Sequence, residues 1–170
     1  MEYVWSPWRY QYVTAGTKEP EGGEPCLFCR VTGHAKAAQP SDRENLIVQR
    51  GERNFVLLNR YPYSSGHLMI APYEHVATLE DARSETLEEL IRLAQRGEAA
   101  LRRVYRAGGF NLGFNIGQCA GAGIAGHIHM HVLPRWTGDT SFITTVGETR
   151  VLPEDLETTW EKLSAALRDG

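Results

Sequence analysis

Cysteine is scarce in this chain. There are three among 170 residues, an odd count that suits no closed disulfide framework and points to a reducing compartment, the cytoplasm. Long apolar runs are missing too: none approaches the about 18 residues of a membrane span. The opening stretch MEYVWSPWRY carries Glu2 and Arg9 and lacks the apolar core of a secretion signal. Nor is there an excess of basic charge. Lys and Arg number 18 against 21 Asp and Glu, for a net charge of −3, whereas a nucleic-acid binder shows a basic stripe. Neither a membrane nor nucleic acid is therefore expected as a partner, although local donors could still hold a small anion. The sequence has no internal repeat and no low-complexity tract. What remains, 42% hydrophobic and 23% charged residues, suits a single domain over residues 1–170, long enough to bury a core. Within it, residues 1–25 read as an aromatic arm (VWSPWRYQYV) followed by a turn-rich linker.

Against this ordinary background stands GHIHMHVLPRW, residues 126–136, which holds three of the six histidines within five positions. Side chains on a strand alternate between faces with a period of two. As a strand, the stretch presents His127, His129 and His131 on one face and Ile128, Met130 and Val132 on the other. A helix would scatter the imidazoles around its axis. Pro134 is expected to end the strand, because proline cannot donate to a ladder.

Other strands are read at NLIVQR (45–50), NFVLLNR (54–60), HLMIAP (67–72) and FNLGFNI (110–116). The stretch RVTGHAKAAQPSD, after CLFC, reads mostly as loop. From Ser84, a plausible N-cap, Leu87, Leu90, Ile91, Ala94, Leu101 and Val104 recur at helical spacing, and AGG at 107–109 ends that helix. PEDLETTWEKLSAALRD forms a closing helix, with Pro153 near its first turn. The pattern predicts an α+β fold: an antiparallel sheet of about five strands with one long helix and a C-terminal helix.

Three imidazoles on one face could merely hydrogen-bond, could bind a metal as a group, or could supply a nucleophile. The loop before them, GQCAGAGIAG (117–126), favours the last. Its glycines let backbone N–H groups converge on an anion, and the loop runs straight into the imidazole face. Cys26 and Cys29 have zinc-ligand spacing, but one such pair is half a structural site. A redox pair and two buried apolar cysteines remain its rivals. Cys119 has no partner in the pattern and reads as a small filler.

The run HIHMHVL matches the alternating signature of the histidine triad superfamily. FVLLNRYPYSSGHLMIAPYEH resembles its preceding strands, and CLFC resembles the cysteine pair of its zinc-bearing members. WSPWRYQYV and HVLPRW resemble the branch of diadenosine-tetraphosphate phosphorylases and fragile-histidine-triad-like proteins. The resemblance spans residues 5 to 165. It implies a nucleotide hydrolase or nucleotidyltransferase that cleaves dinucleoside polyphosphates by double displacement, with water or phosphate as final acceptor. His129 would attack the α-phosphorus and His131 would serve the leaving group. His127 and His67 complete the set of catalytic histidines.

Asn115, Gln118 and backbone groups at Gly121 and Gly123 are implied at the phosphate, and Asn59 at the ribose. Leu57 and Met69 would form apolar walls of the base pocket, although strand alternation could equally make both plain core. Ile124 departs from relatives that carry a donor side chain there. Trp136 would stack on a distal base or else anchor the core. A zinc ion is implied on Cys26, Cys29, His75 and His127, with His34 as an alternative third ligand. A homodimer is implied as well. The alternatives are a nucleoside phosphoramidase of the same superfamily and a zinc-stabilised nucleotide-binding interaction protein with little turnover.

Overall fold

A computed structural model describes residues 26–33, 39–140, 142–146 and 152–168. The aromatic arm and His34 lie outside these. The strands are β1 (Ile47–Arg50), β2 (Asn54–Leu58), β3 (Leu68–Pro72), β4 (Gly109–Phe114) and β5 (Met130–Arg135). The helices are α1 (Leu27–Thr32), α2 (Ser84–Tyr105), α3 (Phe142–Val146) and α4 (Leu156–Arg168). The sheet runs in the order β1-β2-β3-β5-β4, and every pairing is antiparallel. This is the expected five-stranded α+β architecture.

Burial explains why these residues form these elements. β2 (NFVLL) and β3 (LMIAP) are buried at every position, and apart from Asn54 each reads as a continuous apolar run. One face of the sheet packs on α2 and α4. There Val56, Leu58, Leu68, Ile70, Met130 and Val132 meet Leu90, Leu93 and Leu101 of α2 and Leu163 and Leu167 of α4. Each such large side chain contributes about 1.5–3 kcal/mol when fully buried. Gly97 lets α2 lie close to the sheet, since a Cβ there would come within 3.2 Å of Leu68 Cδ1. The opposite face carries a smaller cluster of Phe28, Ile47, Phe55, Leu57, Met69 and Ala71, with α1 supplying Phe28. The long helices thus cover one face, and the imidazoles emerge on the other.

Several boundaries differ from the sequence reading. β5 begins only at Met130, so His127 and His129 sit on an extended lead-in rather than within the strand. The lead-in is still anchored, because the Ile128 N–H donates to the Val76 carbonyl at 2.7 Å. Pro134 lies inside β5, paired with Phe110. The Arg135 carbonyl accepts from Gly108 on the β4 side. Pro134 therefore turns its nitrogen to the other side, beyond the first residue of β3, where no ladder bond is lost.

Arg83, not Ser84, is the N-cap of α2. α4 starts three residues after Pro153, and the Asp155 carboxylate accepts the Thr158 N–H at 2.7 Å. That is an ordinary capping bond. α1 spans most of CLFC and runs on to Thr32 in the stretch read as loop, which also holds a 3-10 turn at Pro40–Asp42, and the glycine loop holds another at Gln118–Ala120.

Candidate active site and metal centre

His67 and His131 form a buried pair, joined His67 Nε2 to His131 Nδ1 at 2.9 Å. The protons in this pair can be counted. The Tyr63 backbone N–H can only donate, and it lies 3.2 Å from His67 Nδ1. The Asn59 amide nitrogen is 3.3 Å from the same atom, and its oxygen is fixed by the Tyr61 N–H at 2.9 Å. His67 Nδ1 is therefore an acceptor, and the ring carries its proton on Nε2. That proton is donated to His131 Nδ1, so neutral His131 keeps its own on Nε2. Burial, with repulsion from His131 and His129, holds His67 down at about 3, and burial with repulsion from His129 holds His131 at about 4. Both are neutral near pH 7. The Tyr63 ring stacks over His131 with centroids 5.9 Å apart.

His129 is 5% exposed. Its Nδ1–H donates to the His127 carbonyl at 2.9 Å. This fixes the tautomer and leaves the Nε2 lone pair for an electrophile. Burial lowers its pKa, which keeps the lone pair unprotonated. Phe28 packs against both neighbouring rings, 5.0 Å from His127 and 4.9 Å from His129. The sequence reading missed Phe28, although an apolar residue between two cysteines was a signal for it.

His127 is oriented differently. Its Nε2–H donates to the Pro72 carbonyl at 2.9 Å, so Nδ1 holds the lone pair. That lone pair faces Cys26 Sγ at 3.4 Å, Cys29 Sγ at 3.7 Å and His75 Nδ1 at 3.2 Å, while Cys29 Sγ lies 3.5 Å from His75 Nδ1. A tetrahedron with zinc bond lengths of about 2.3 Å to sulfur and about 2.05 Å to nitrogen has N–N edges of about 3.3 Å and S–N edges of about 3.6 Å. The four separations just given match those edges, and all four donor atoms lie within 4.8 Å of one another. Both sulfurs come from α1 and its N-cap, one imidazole from the segment after β3 and the other from the lead-in to β5. Cys26 caps α1 and Cys29 lies in its first turn, which places both sulfurs together.

The glycine loop is more committed than expected. Gly117 and Gly121 take φ of +80° and +84°, which favours glycine. The Gly121 N–H donates to the Gln118 carbonyl at 2.9 Å and the Ala122 N–H to the Gly117 carbonyl at 3.3 Å. Among the described residues no backbone carbonyl takes the N–H of Gly123, Ile124, Ala125 or Gly126. Those uncommitted N–H groups lie immediately before His127, whereas the Gly121 N–H is spent within the turn. Gln118 is exposed and Asn115 half-buried.

Leu57 and Met69, 4% and 7% exposed, belong to the cluster beneath the imidazoles, with Met69 paired directly with His131. Asn59 has both ends of its amide engaged, at His67 and Tyr61. Trp136 donates its indole N–H to the Tyr105 carbonyl at 3.0 Å and lines a cleft of about 500 Å³ together with Tyr63, Tyr105 and Lys162.

Residues 41–138 match the HIT domain family model. The chain belongs to the histidine triad family. It is similar to the AP-4-A phosphorylase of Mycobacterium tuberculosis (strain ATCC 25618 / H37Rv), with 38% identity over 94% of this chain and 80% of that protein. Its fold resembles a Zn-bound histidine triad family protein from Mycobacterium smegmatis, with a TM-score of 0.67, 32% identity, and coverage of 87% of this chain and 96% of that one. The Plasmodium falciparum diadenosine triphosphate hydrolase shares the fold at a TM-score of 0.60 and 13% identity, over 84% of this chain and 95% of that one.

Proposed function

We propose that this chain is a histidine triad enzyme that cleaves dinucleoside polyphosphates such as diadenosine tetraphosphate, by way of a nucleotidyl group carried on His129. The observation that carries this reading is the fixed tautomer of His129. With Nδ1–H held by the His127 carbonyl, Nε2 can attack the α-phosphorus. The P–N bond forms as the bond from phosphorus to the bridging oxygen breaks. The N–H groups of Gly123 to Gly126, with Gln118 and Asn115 at the loop's flanks, would face the non-bridging oxygens, where preorganised donors act most strongly. The His131 Nε2–H, held in place by the His67 proton on its other nitrogen, is the donor for the departing oxygen.

Phosphate then attacks the phosphoramidate, and His129 leaves with its lone pair restored. Phosphate is preferred to water as acceptor because the 38% identical relative is named a phosphorylase. The test is product analysis. With phosphate in excess, diadenosine tetraphosphate should yield ADP and ATP, whereas a hydrolase would yield AMP and ATP.

Cys26, Cys29, His75 and His127 would hold one zinc ion per chain, a Cys₂His₂ site. Its chemistry is that of a structural cross-link, tying α1 to the lead-in of β5. The family match begins at residue 41, so both cysteines stand outside it. Support for zinc is the close grouping of two sulfurs and two imidazole nitrogens and the Zn-bound structural relative. β4 is an outer strand with Leu112 45% exposed, and a second copy of the chain pairing along it would give the homodimer. No described helix is long and apolar enough to cross a membrane, and the free cysteines suit the cytoplasm.

A further inference from the structure

On the far side of the fold from the imidazoles, the edge strand β1 and the helices α2 and α4 enclose a cleft of about 630 Å³. That is within the usual range for small-molecule sites. No triad histidine and no cysteine lines it. Its walls carry three arginines, Arg50, Arg96 and Arg168, against one carboxylate, Asp42, in a chain whose net charge is −3. Asp42 is bound by Arg50 at 2.7 Å, which leaves the cleft positive through Arg96 and Arg168. Arg96 is held in place. It donates to the Leu167 carbonyl at 2.8 Å, and Gln49, with its amide oxygen turned inward, accepts from it at 2.7 Å. These bonds use part of the five-donor guanidinium fork.

Ser164 is on the same wall. Residues 160, 164, 167 and 168 of α4 all line the cleft, as helical spacing requires. Ser164 is 2% exposed, and its hydroxyl has no hydrogen-bond partner. A buried hydroxyl left unpaired is costly and calls for an explanation. Here Ser164 stands on the wall of a positive cavity, and rotation about its χ1 is what would bring the covered oxygen to an acceptor.

We propose that this cleft is a second, non-catalytic site for a phosphate-bearing anion, either inorganic phosphate or a nucleoside monophosphate. Its oxygens would accept from Arg96 and Arg168, whose planar forks match phosphate geometry, and from the Ser164 hydroxyl. The proposal does not depend on the chemistry at His129.

The test follows the Trp160 indole N–H, which donates to the Ile47 carbonyl beside the cleft. Its ¹⁵N–¹H signal is assigned with Trp160→Phe and followed in the full chain while sodium phosphate, AMP, or sodium chloride as control is added. A saturable shift with phosphate or AMP, equal in wild type and in His129→Ala, is expected. Arg96→Gln with Arg168→Gln should weaken it by about tenfold or more, the loss of a charged hydrogen bond. Ser164→Ala should also weaken it while leaving Tm unchanged or raised. If the double variant is unstable, Ser164→Ala and Arg168→Gln alone decide the matter. AMP acting at lower concentration than phosphate identifies a nucleotide as ligand, and equal action identifies free phosphate. A shift absent with both, or one that survives these substitutions, overturns the proposal.

Discussion

His127 and His131 stand two residues to either side of His129, both buried and both neutral near pH 7, yet their ring nitrogens are committed in opposite ways. The Pro72 carbonyl accepts from the Nε2–H of His127, which leaves the Nδ1 lone pair facing two sulfurs and a second imidazole. His67 fills the lone pair of His131 and leaves a proton for the substrate. The row of three is therefore not three equal imidazoles. Each ring's work is set by the group at its second nitrogen, as for histidines at metal and acid–base sites generally. On this account His127 belongs to the fold, His131 to the leaving group, and only His129 to phosphorus.

The largest effect should come from the middle of the row. His129→Ala should fold normally and lose nearly all turnover in a steady-state assay with diadenosine tetraphosphate. Retention of more than roughly a tenth of kcat, under about 1.4 kcal/mol of barrier, would rule out covalent catalysis here.

His131→Ala should cost less, about 10²-fold in kcat. The loss should shrink with an adenylyl ester whose leaving group is a good one, because such a group needs no proton. Equal losses with both substrates would mean that His131 is not the donor.

On the metal side, Cys26→Ser should remove the zinc that otherwise co-purifies at one equivalent per chain, and should lower Tm, because site assembly is coupled to folding. The readouts are elemental analysis and thermal unfolding. No metal in carefully purified wild-type protein would break the comparison at His127.

How much of this was legible in the sequence follows from the same contrast. The alternation of His127, His129 and His131 with apolar residues showed that the imidazoles share a face, because side-chain parity needs no tertiary information. The five strands and the two long helices followed from periodicity and turn residues, but their order in the sheet did not. The proton inventory was out of reach, because it depends on a carbonyl at Pro72, a backbone N–H at Tyr63 and the orientation of Asn59, all distant in sequence from the triad. Phe28 was legible only as an apolar residue between the two cysteines, since nothing local says what a CLFC turn will pack against. In one detail the glycine loop was not legible. Its flexibility was visible, but Gly121 spends its N–H on closing a turn, which moves the free donors to Gly123–Gly126.

A smaller effect concerns pH. Unfolded histidine titrates near 6.5, and folded His67 and His131 near 3 and 4. Below about pH 6.5 the unfolded chain takes up protons that the folded pair refuses. Stability is fully present above that pH and is lost as pH falls toward about 4, by at most about 1.4 kcal/mol per pH unit for each histidine. Urea unfolding midpoints at pH 7 and pH 5 should show this drop, and His67→Leu should flatten it. An unchanged slope in the variant would mean that the pair is not held neutral by burial.

The smallest effect lies at the cleft beside Tyr63. Trp136→Ala should raise KM for diadenosine tetraphosphate by ~5-fold, within the range for stacking on one base, and leave AMP binding almost unchanged. If both ligands weaken equally and stability falls, the indole is only an anchor on the Tyr105 carbonyl.

The division of labour along the row is tested most directly by trapping the nucleotidyl group. The full enzyme is mixed with dinucleotide labelled at the α-phosphates, quenched within a turnover into alkaline denaturant, digested and mapped by mass spectrometry. The account predicts an adenylyl group on the peptide holding His129, at that histidine and not at His127 or His131, and none with His129→Ala. Turnover without a trapped adduct, or an adduct on His127 or His131, would contradict it.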